Sequence, residues 1–173
     1  ALGPDADAEQ WKADHTTRAT LTNELMWDET TGFYYNIDRN DNDFSFKNTN
    51  DLKRMEIIGF LPLWAGICSE QQAEKLVQHL TDEKKFWRKF GIPSLAADDP
   101  FYNAKGYWNG PVWVEWNYLI FDGLKQYGYH DLAKSLAQKN ADALIDRLKV
   151  DHNLWEVYSS DEPWAGYHKT YIW

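Results

Sequence analysis

Gly106-Tyr107-Trp108-Asn109-Gly110-Pro111-Val112-Trp113 is the stretch on which the reading of this chain turns. Aromatics, glycines and a proline stand together just ahead of a helical pattern. Glycine lets backbone run close to a bound group, and proline suits the first turn of a helix. Aromatic faces with indole and phenol donors match the mixed apolar and polar surface of a sugar. A second aromatic cluster, Leu154-Trp155-Glu156-Val157-Tyr158, surrounds a carboxylate. Together they suggest a carbohydrate site with an acid/base residue beside it.

Outward from that stretch the chain reads as mostly helical. Pro111 is expected to open the clearest helix, with Val112, Trp116, Leu119, Ile120, Gly123, Leu124 and Tyr127 on one stripe and Gly128 ending it. A further helix is predicted over 131–148, with Leu132, Leu136, Ala143, Leu144 and Leu148 inward. Upstream, Ser69 and Gln72 have the spacing of a capping box, followed by Ala73, Leu76, Val77 and Leu80 at helical intervals. A helix starts or kinks at Pro62 within the apolar run 55–67. Another covers 9–25 behind a loose lead-in, residues 1–8. Strands are expected only in one hairpin, 32–37 and 44–46, turning through 38–43. The irregular stretch 88–110 is long enough to be a functional loop. Paired helices with one small hairpin make the class all-α.

The chain has 173 residues, enough for one domain with a real core, and reads as a single unit over 1–173. Ten Trp, 10 Tyr and 8 Phe exceed what such a core needs, so part of the set is assigned to a ligand cleft. A net charge of −9 argues against nucleic acid and anionic membrane as partners. It suits a neutral substrate. No run is apolar and long enough to span a membrane. Cys68 reads as a structural thiol. Asp38-x-Asn40-x-Asn42 lacks the later glycine and glutamate of a calcium loop and reads as a turn. The histidines show no metal-ligand spacing, and only His168 stands where it could touch a sugar.

Three segments resemble glycoside hydrolase family 63. They are Gly91-Ile92-Pro93-Ser94-Leu95-Ala96-Ala97-Asp98-Asp99-Pro100 with the 106–113 stretch, Met26-Trp27-Asp28-Glu29 with Gly32-Phe33-Tyr34-Tyr35, and Trp155-Glu156-Val157-Tyr158. The resemblance implies an (α/α)6 barrel of which this chain is the C-terminal part, with the remaining half as its partner. It implies inverting hydrolysis of an oligosaccharide or small α-linked glucoside, with no cofactor and no metal. Inversion needs two carboxyl groups, one protonating the leaving oxygen and one activating a water on the opposite face. By motif position Glu156 is the base. Tyr107, Trp108, Gly110 and Trp113 match pocket-lining positions, and Trp164, Gly166 and Trp173 match the aromatic tail that closes the pocket.

Asn109 stands where many relatives carry Arg. That difference implies altered recognition beyond the first sugar and disfavours an anionic aglycone such as glycerate. The family's acid is an Asp upstream of the matched hairpin, and no counterpart is expected here. Asp28 fits a turn or cap better. Glu115 reads as part of a solvated face with Asp122, Lys125 and Gln126, Glu56 as a candidate buried acid, and Asp98 and Asp99 as turn residues or hydroxyl contacts. A non-catalytic carbohydrate-binding helical domain is the alternative. A helical-repeat module is disfavoured by the lack of any fixed period.

Overall fold

A computed structural model describes residues 5–45 and 52–169. The chain divides into two compact units, Ala1–Lys53 and Arg54–Trp173. Among the described residues there are five α-helices and two small antiparallel hairpins.

In the first unit, α1 spans Asp5–Leu25. The helix therefore starts inside the segment expected to be a loose lead-in. Asp7 and Glu9 near its start complement the helix dipole, and alanines favour propagation. The hairpin that follows lies earlier than the sequence suggests. β1 (Trp27–Asp28) pairs with β2 (Phe33–Tyr34), Trp27 opposite Tyr34 and Asp28 opposite Phe33. Asp28 builds the turn: its Oδ2 accepts from Thr31 N at 3.2 Å and Thr31 Oγ1 at 2.7 Å. Lys53 Nζ lies 3.2 Å from its other oxygen. Burial opposes the charge, but Thr31 and Lys53 outweigh it and hold the Asp28 carboxyl below its ordinary range. Residues 44–45 do not form the expected second strand, and Phe46 lies outside the described residues. Within 38–43, Asp38 Oδ1 accepts from Asn40 N at 2.8 Å and Asp41 N at 3.3 Å, which is turn chemistry.

The second unit opens with a 3-10 turn, Ile57–Phe60, running into α2 (Leu61–Trp64) with Pro62 in its first turn. α3 (Glu70–Leu80) carries the expected capping box: Gln72 N donates to Ser69 Oγ at 3.2 Å and Ser69 N to Gln72 Oε1 at 2.8 Å. Ala73, Leu76 and Leu80 are its buried face. α4 (Val114–Gln126) and α5 (His130–Asp151) pack against each other.

Pro111 does not open α4. Val112 N donates to Tyr158 O at 2.7 Å and Tyr158 N donates to Val112 O at 3.1 Å. This bridge holds Val112 extended, so the helix begins only after Trp113. The inner face of α4 is Asn117, Ile120, Gly123 and Leu124. On α5 it is Ala133, Leu136, Asn140 and Ala143, whereas Leu148 is 45% exposed.

The expectation of a single hairpin is also corrected. β3 (Trp155–Tyr158) and β4 (Ala165–Lys169) form a second one in the aromatic tail. Residues 81–113 contain no helix or strand, yet much of this stretch is buried. Phe86, Ile92, Leu95, Val112 and Trp113 from it join Phe60, Leu63, Ile120, Leu124 and Tyr158 in the core of this unit. A long loop can be buried only if its backbone groups find partners. Asn117 on α4 supplies two of them, accepting from Ile92 N at 2.8 Å and donating to Ile92 O at 2.9 Å.

Candidate active site

Glu156 sits in the middle of β3 and is 3% exposed. Tyr107 reaches it from the long loop, its hydroxyl donating to Glu156 Oε1 at 2.5 Å. Oε2 is buried and has no hydrogen-bond partner among the described residues. His168 Nε2, on the exposed β4, is 3.8 Å from it. A carboxylate with one oxygen held by a phenol and the other bare can take a proton from a water or hold a sugar hydroxyl.

The aromatic stretch forms a wall beside this carboxylate. Trp113 is fully buried and stacks on Trp108 with ring centroids 3.9 Å apart and planes 2° from parallel. Trp108 is 52% exposed. Tyr107 lies edge-on to both, at 5.5 Å from Trp108 and 4.9 Å from Trp113. Trp113 Nε1 donates to Tyr107 O at 2.9 Å, so the buried indole fixes the backbone of the residue that holds Glu156.

Asn109 spends its amide inside the loop. Its Oδ1 accepts from Tyr107 N at 3.3 Å, and its Nδ2 donates to Phe101 O at 2.7 Å. Gly110 leaves no room for a side chain, since a Cβ there would lie 2.1 Å from Asn103 O. Gly110 N donates to Ser94 Oγ at 2.8 Å, and Ser94 N donates to Pro111 O at 3.0 Å. Ser94 thus ties the resembling 91–100 run to the wall. Trp164 is half-buried and packs its ring over Gly166. Trp173 lies outside the described residues.

A second set of contacts locks the loop to the hairpin that carries Glu156. The Tyr102 hydroxyl donates to Asp161 Oδ2 at 2.6 Å and shares a 2.5 Å hydrogen bond with Ser160 Oγ. Arg88 Nε donates to Asp161 Oδ1 at 2.7 Å. Burial and the Asp161 carboxylate push the Tyr102 hydroxyl up, so it remains a donor. Sequence reasoning does not single out this lock or Ser94, because each joins residues far apart in the chain. Asp99 accepts from Arg54 at 2.9 and 3.0 Å and from Phe101 N at 2.8 Å, which is a turn anchored by an ion pair. Glu56 contributes a backbone bridge to Leu95.

Glu115 is not on a solvated face. It stands half-buried in the first turn of α4. Burial, and after it the negative charge of Glu156, push its carboxyl above the ordinary 4.5. The folded state therefore binds this proton more tightly than the unfolded chain. Stability falls as pH rises from the unfolded value through the raised folded one, and stays lower above it. Glu115→Gln is expected to melt at a higher temperature than the unaltered protein at about pH 7 and at the same temperature at about pH 4. Melting curves at both pH values check this. An equal difference at both would refute it.

The chain resembles known glycoside hydrolases in sequence and in fold. Mannosylglycerate hydrolase MGH2 from Selaginella moellendorffii is 34% identical over 122 residues, covering 69% of this chain and 23% of the plant protein. Mannosylglycerate hydrolase from Thermus thermophilus is 31% identical over 144 residues, covering 82% of this chain and 31% of the bacterial one. The crystal structure of the GH63 mannosylglycerate hydrolase from Thermus thermophilus in complex with glucose superposes with a TM-score of 0.66 at 28% identity, over 83% of this chain and 33% of that one. The chain spans under a third of the length of the curated relatives it matches. The family model for the mannosylglycerate hydrolase MGH1-like glycoside hydrolase domain matches residues 1–173, and the chain belongs to that family.

Proposed function

We propose that this chain is the C-terminal part of an (α/α)6 barrel in an inverting glycoside hydrolase acting on α-linked glucosides, and that Glu156 is its general base. One observation carries the reading: a buried carboxylate with Tyr107 hydrogen-bonded to one oxygen and, among the described residues, no hydrogen bond on the other, beside an aromatic wall. In the reaction the bare Oε2 takes a proton from a water as that water's oxygen bonds to the anomeric carbon. The glycosidic bond breaks on the opposite face. A general acid outside this chain gives its proton to the departing oxygen, leaving the sugar with inverted configuration. Tyr107 holds the carboxylate in one orientation, so the proton acceptor is set before the water arrives.

Tyr107 and Trp108 form one side of the sugar pocket, backed by the fully buried Trp113 and by Gly110, and Trp164 closes it. Asn109 takes part by shaping the loop; as a neutral residue at this place it favours an uncharged leaving group. The remaining half of the barrel is the chain's partner. An apolar groove of about 240 Å³ between α4 and α5, lined by Val114, Tyr118, Phe121, Leu136 and Leu144 among others, supports this. Tyr118, in its lining, is 63% exposed.

The test is the anomer released. Proton NMR during hydrolysis of an α-glucoside by the full-length enzyme is expected to show β-glucose before mutarotation. Release of α-glucose would overturn inversion. Binding of the sugar without hydrolysis would favour the carbohydrate-binding alternative.

A further inference from the structure

The two strands of the hairpin that carries Glu156 do not pair residue for residue. Trp155 faces Lys169, but Val157 faces Gly166, so Glu156 alone stands opposite both Tyr167 and His168. The extra residue makes a bulge in β4, and a bulge re-aims side chains beside it. Tyr167 has a φ of +72°, in the left-handed region that glycine favours and aromatic residues rarely adopt. Glycine is not used at 167 but next to it. A Cβ on Gly166 would lie 2.5 Å from the Trp164 ring. Trp164 thus covers Gly166 and also lies edge-on to the Tyr167 ring, with centroids 6.0 Å apart.

The Tyr167 ring lies edge-on to Tyr107, with centroids 4.8 Å apart. Its hydroxyl donates to Lys105 O at 3.1 Å. Lys105 is itself held to the β3–β4 connection, its Nζ 2.5 Å from Glu162 Oε2. Tyr107 is therefore enclosed by Trp108, Trp113 and Tyr167, and only its hydroxyl reaches Glu156. A strained backbone persists where the side chain it presents is needed.

We propose that Tyr167 is a positioning residue. The bulge opposite Glu156 presents its ring to Tyr107 and its hydroxyl to the wall loop, clamping the Tyr107 hydroxyl on Oε1 and keeping Oε2 turned to the water. This rests on the reading of Glu156 as a base, and Tyr167 acts on it only through Tyr107.

A double-mutant cycle on the full-length enzyme with 4-nitrophenyl α-glucoside tests the clamp. Tyr167→Gly removes the ring and relieves the backbone, so a structural role alone predicts a changed thermal stability with unchanged kcat. The clamp predicts a kcat loss of about 10–100-fold with KM moving less than about threefold. In a Tyr107→Phe background the same substitution costs less than about threefold, because the hydroxyl it positions is gone. Equal losses in both backgrounds, or no loss in the first, overturn the proposal. Should Tyr167→Gly fail to fold, Tyr167→Phe, which removes only the Lys105 anchor, runs the same cycle under the same criterion.

A fluorotyrosine label separates the two readings, because its readout needs no turnover. A single narrow Tyr107 ¹⁹F resonance that broadens or splits in Tyr167→Gly supports the clamp, and an unchanged resonance overturns it. Absence of α-glucoside hydrolysis by the unaltered enzyme overturns the proposed function instead.

Discussion

Glu156→Gln in the full-length enzyme is expected to lower kcat by about 10³-fold while KM moves less than about threefold, the loss of a general base without loss of binding. Glutamine has the same shape as glutamate. Its amide oxygen can still accept from the Tyr107 hydroxyl, which donates to Oε1 at 2.5 Å. The change is confined to the other position, where an NH2 replaces the unpartnered Oε2. An NH2 cannot take a proton from water, so the attacking oxygen is not activated. The fold should not suffer. Glu156 is buried, its ion-pair distance to the exposed His168 is a long 3.8 Å, and burying an amide costs less than burying a charge. Unchanged or raised thermal stability beside a collapsed kcat is therefore the expected pair of results. A variant retaining more than about a tenth of kcat would remove Glu156 from the base role.

The candidate carboxylate and its aromatic wall are more legible in sequence than the scaffold that joins them. Glu156, Tyr107 and Trp108 stand in short runs whose composition is unusual, and that is a local signal. The contact joining Tyr107 to Glu156 crosses 49 positions and leaves no local trace. The helices divide in the same way. α3 is legible to the residue at its start, because Ser69 and Gln72 satisfy each other within one turn. The start of α4 falls later than its proline suggests because Val112 is held extended by Tyr158, a partner from the far hairpin. That hairpin escapes sequence reasoning because its strands do not alternate. β4 carries a bulge, and its left-handed residue is Tyr167 rather than a glycine that would have advertised a turn. Glu115 misleads because helical spacing groups it with Asp122 and Lys125. Its neighbour in space is the charge of Glu156.

Asn117→Ala is expected to destabilise the fold by about 3–4 kcal/mol, more than an ordinary buried polar truncation. Asn117 is 1% exposed and uses its whole side-chain hydrogen-bonding capacity. Its Oδ1 accepts from Ile92 N at 2.8 Å and from Asn140 Nδ2 at 3.3 Å. Its Nδ2 donates to Ile92 O at 2.9 Å and to Trp113 O at 3.1 Å. Alanine leaves both backbone groups of Ile92 buried without those partners, at about 1–3 kcal/mol each, partly offset by local relaxation. Asn140 is a built-in comparison. Its Oδ1 has no hydrogen-bond partner among the described residues, and its Nδ2 keeps Leu136 O at 2.9 Å, so Asn140→Ala should cost less than half as much.

The loss of Asn117 also reaches the site by a traceable path. Ile92 fixes the loop two residues before Ser94, and Ser94 holds Gly110 and Pro111 at the base of the aromatic wall. Urea unfolding of both variants reads the first effect. The part of acrylamide quenching that a Trp108→Phe substitution removes, measured below the unfolding transition, reads the second, and should rise in Asn117→Ala but not in Asn140→Ala. Equal destabilisation by the two variants would show that α4–α5 packing, rather than the grip on Ile92, is what Asn117 provides.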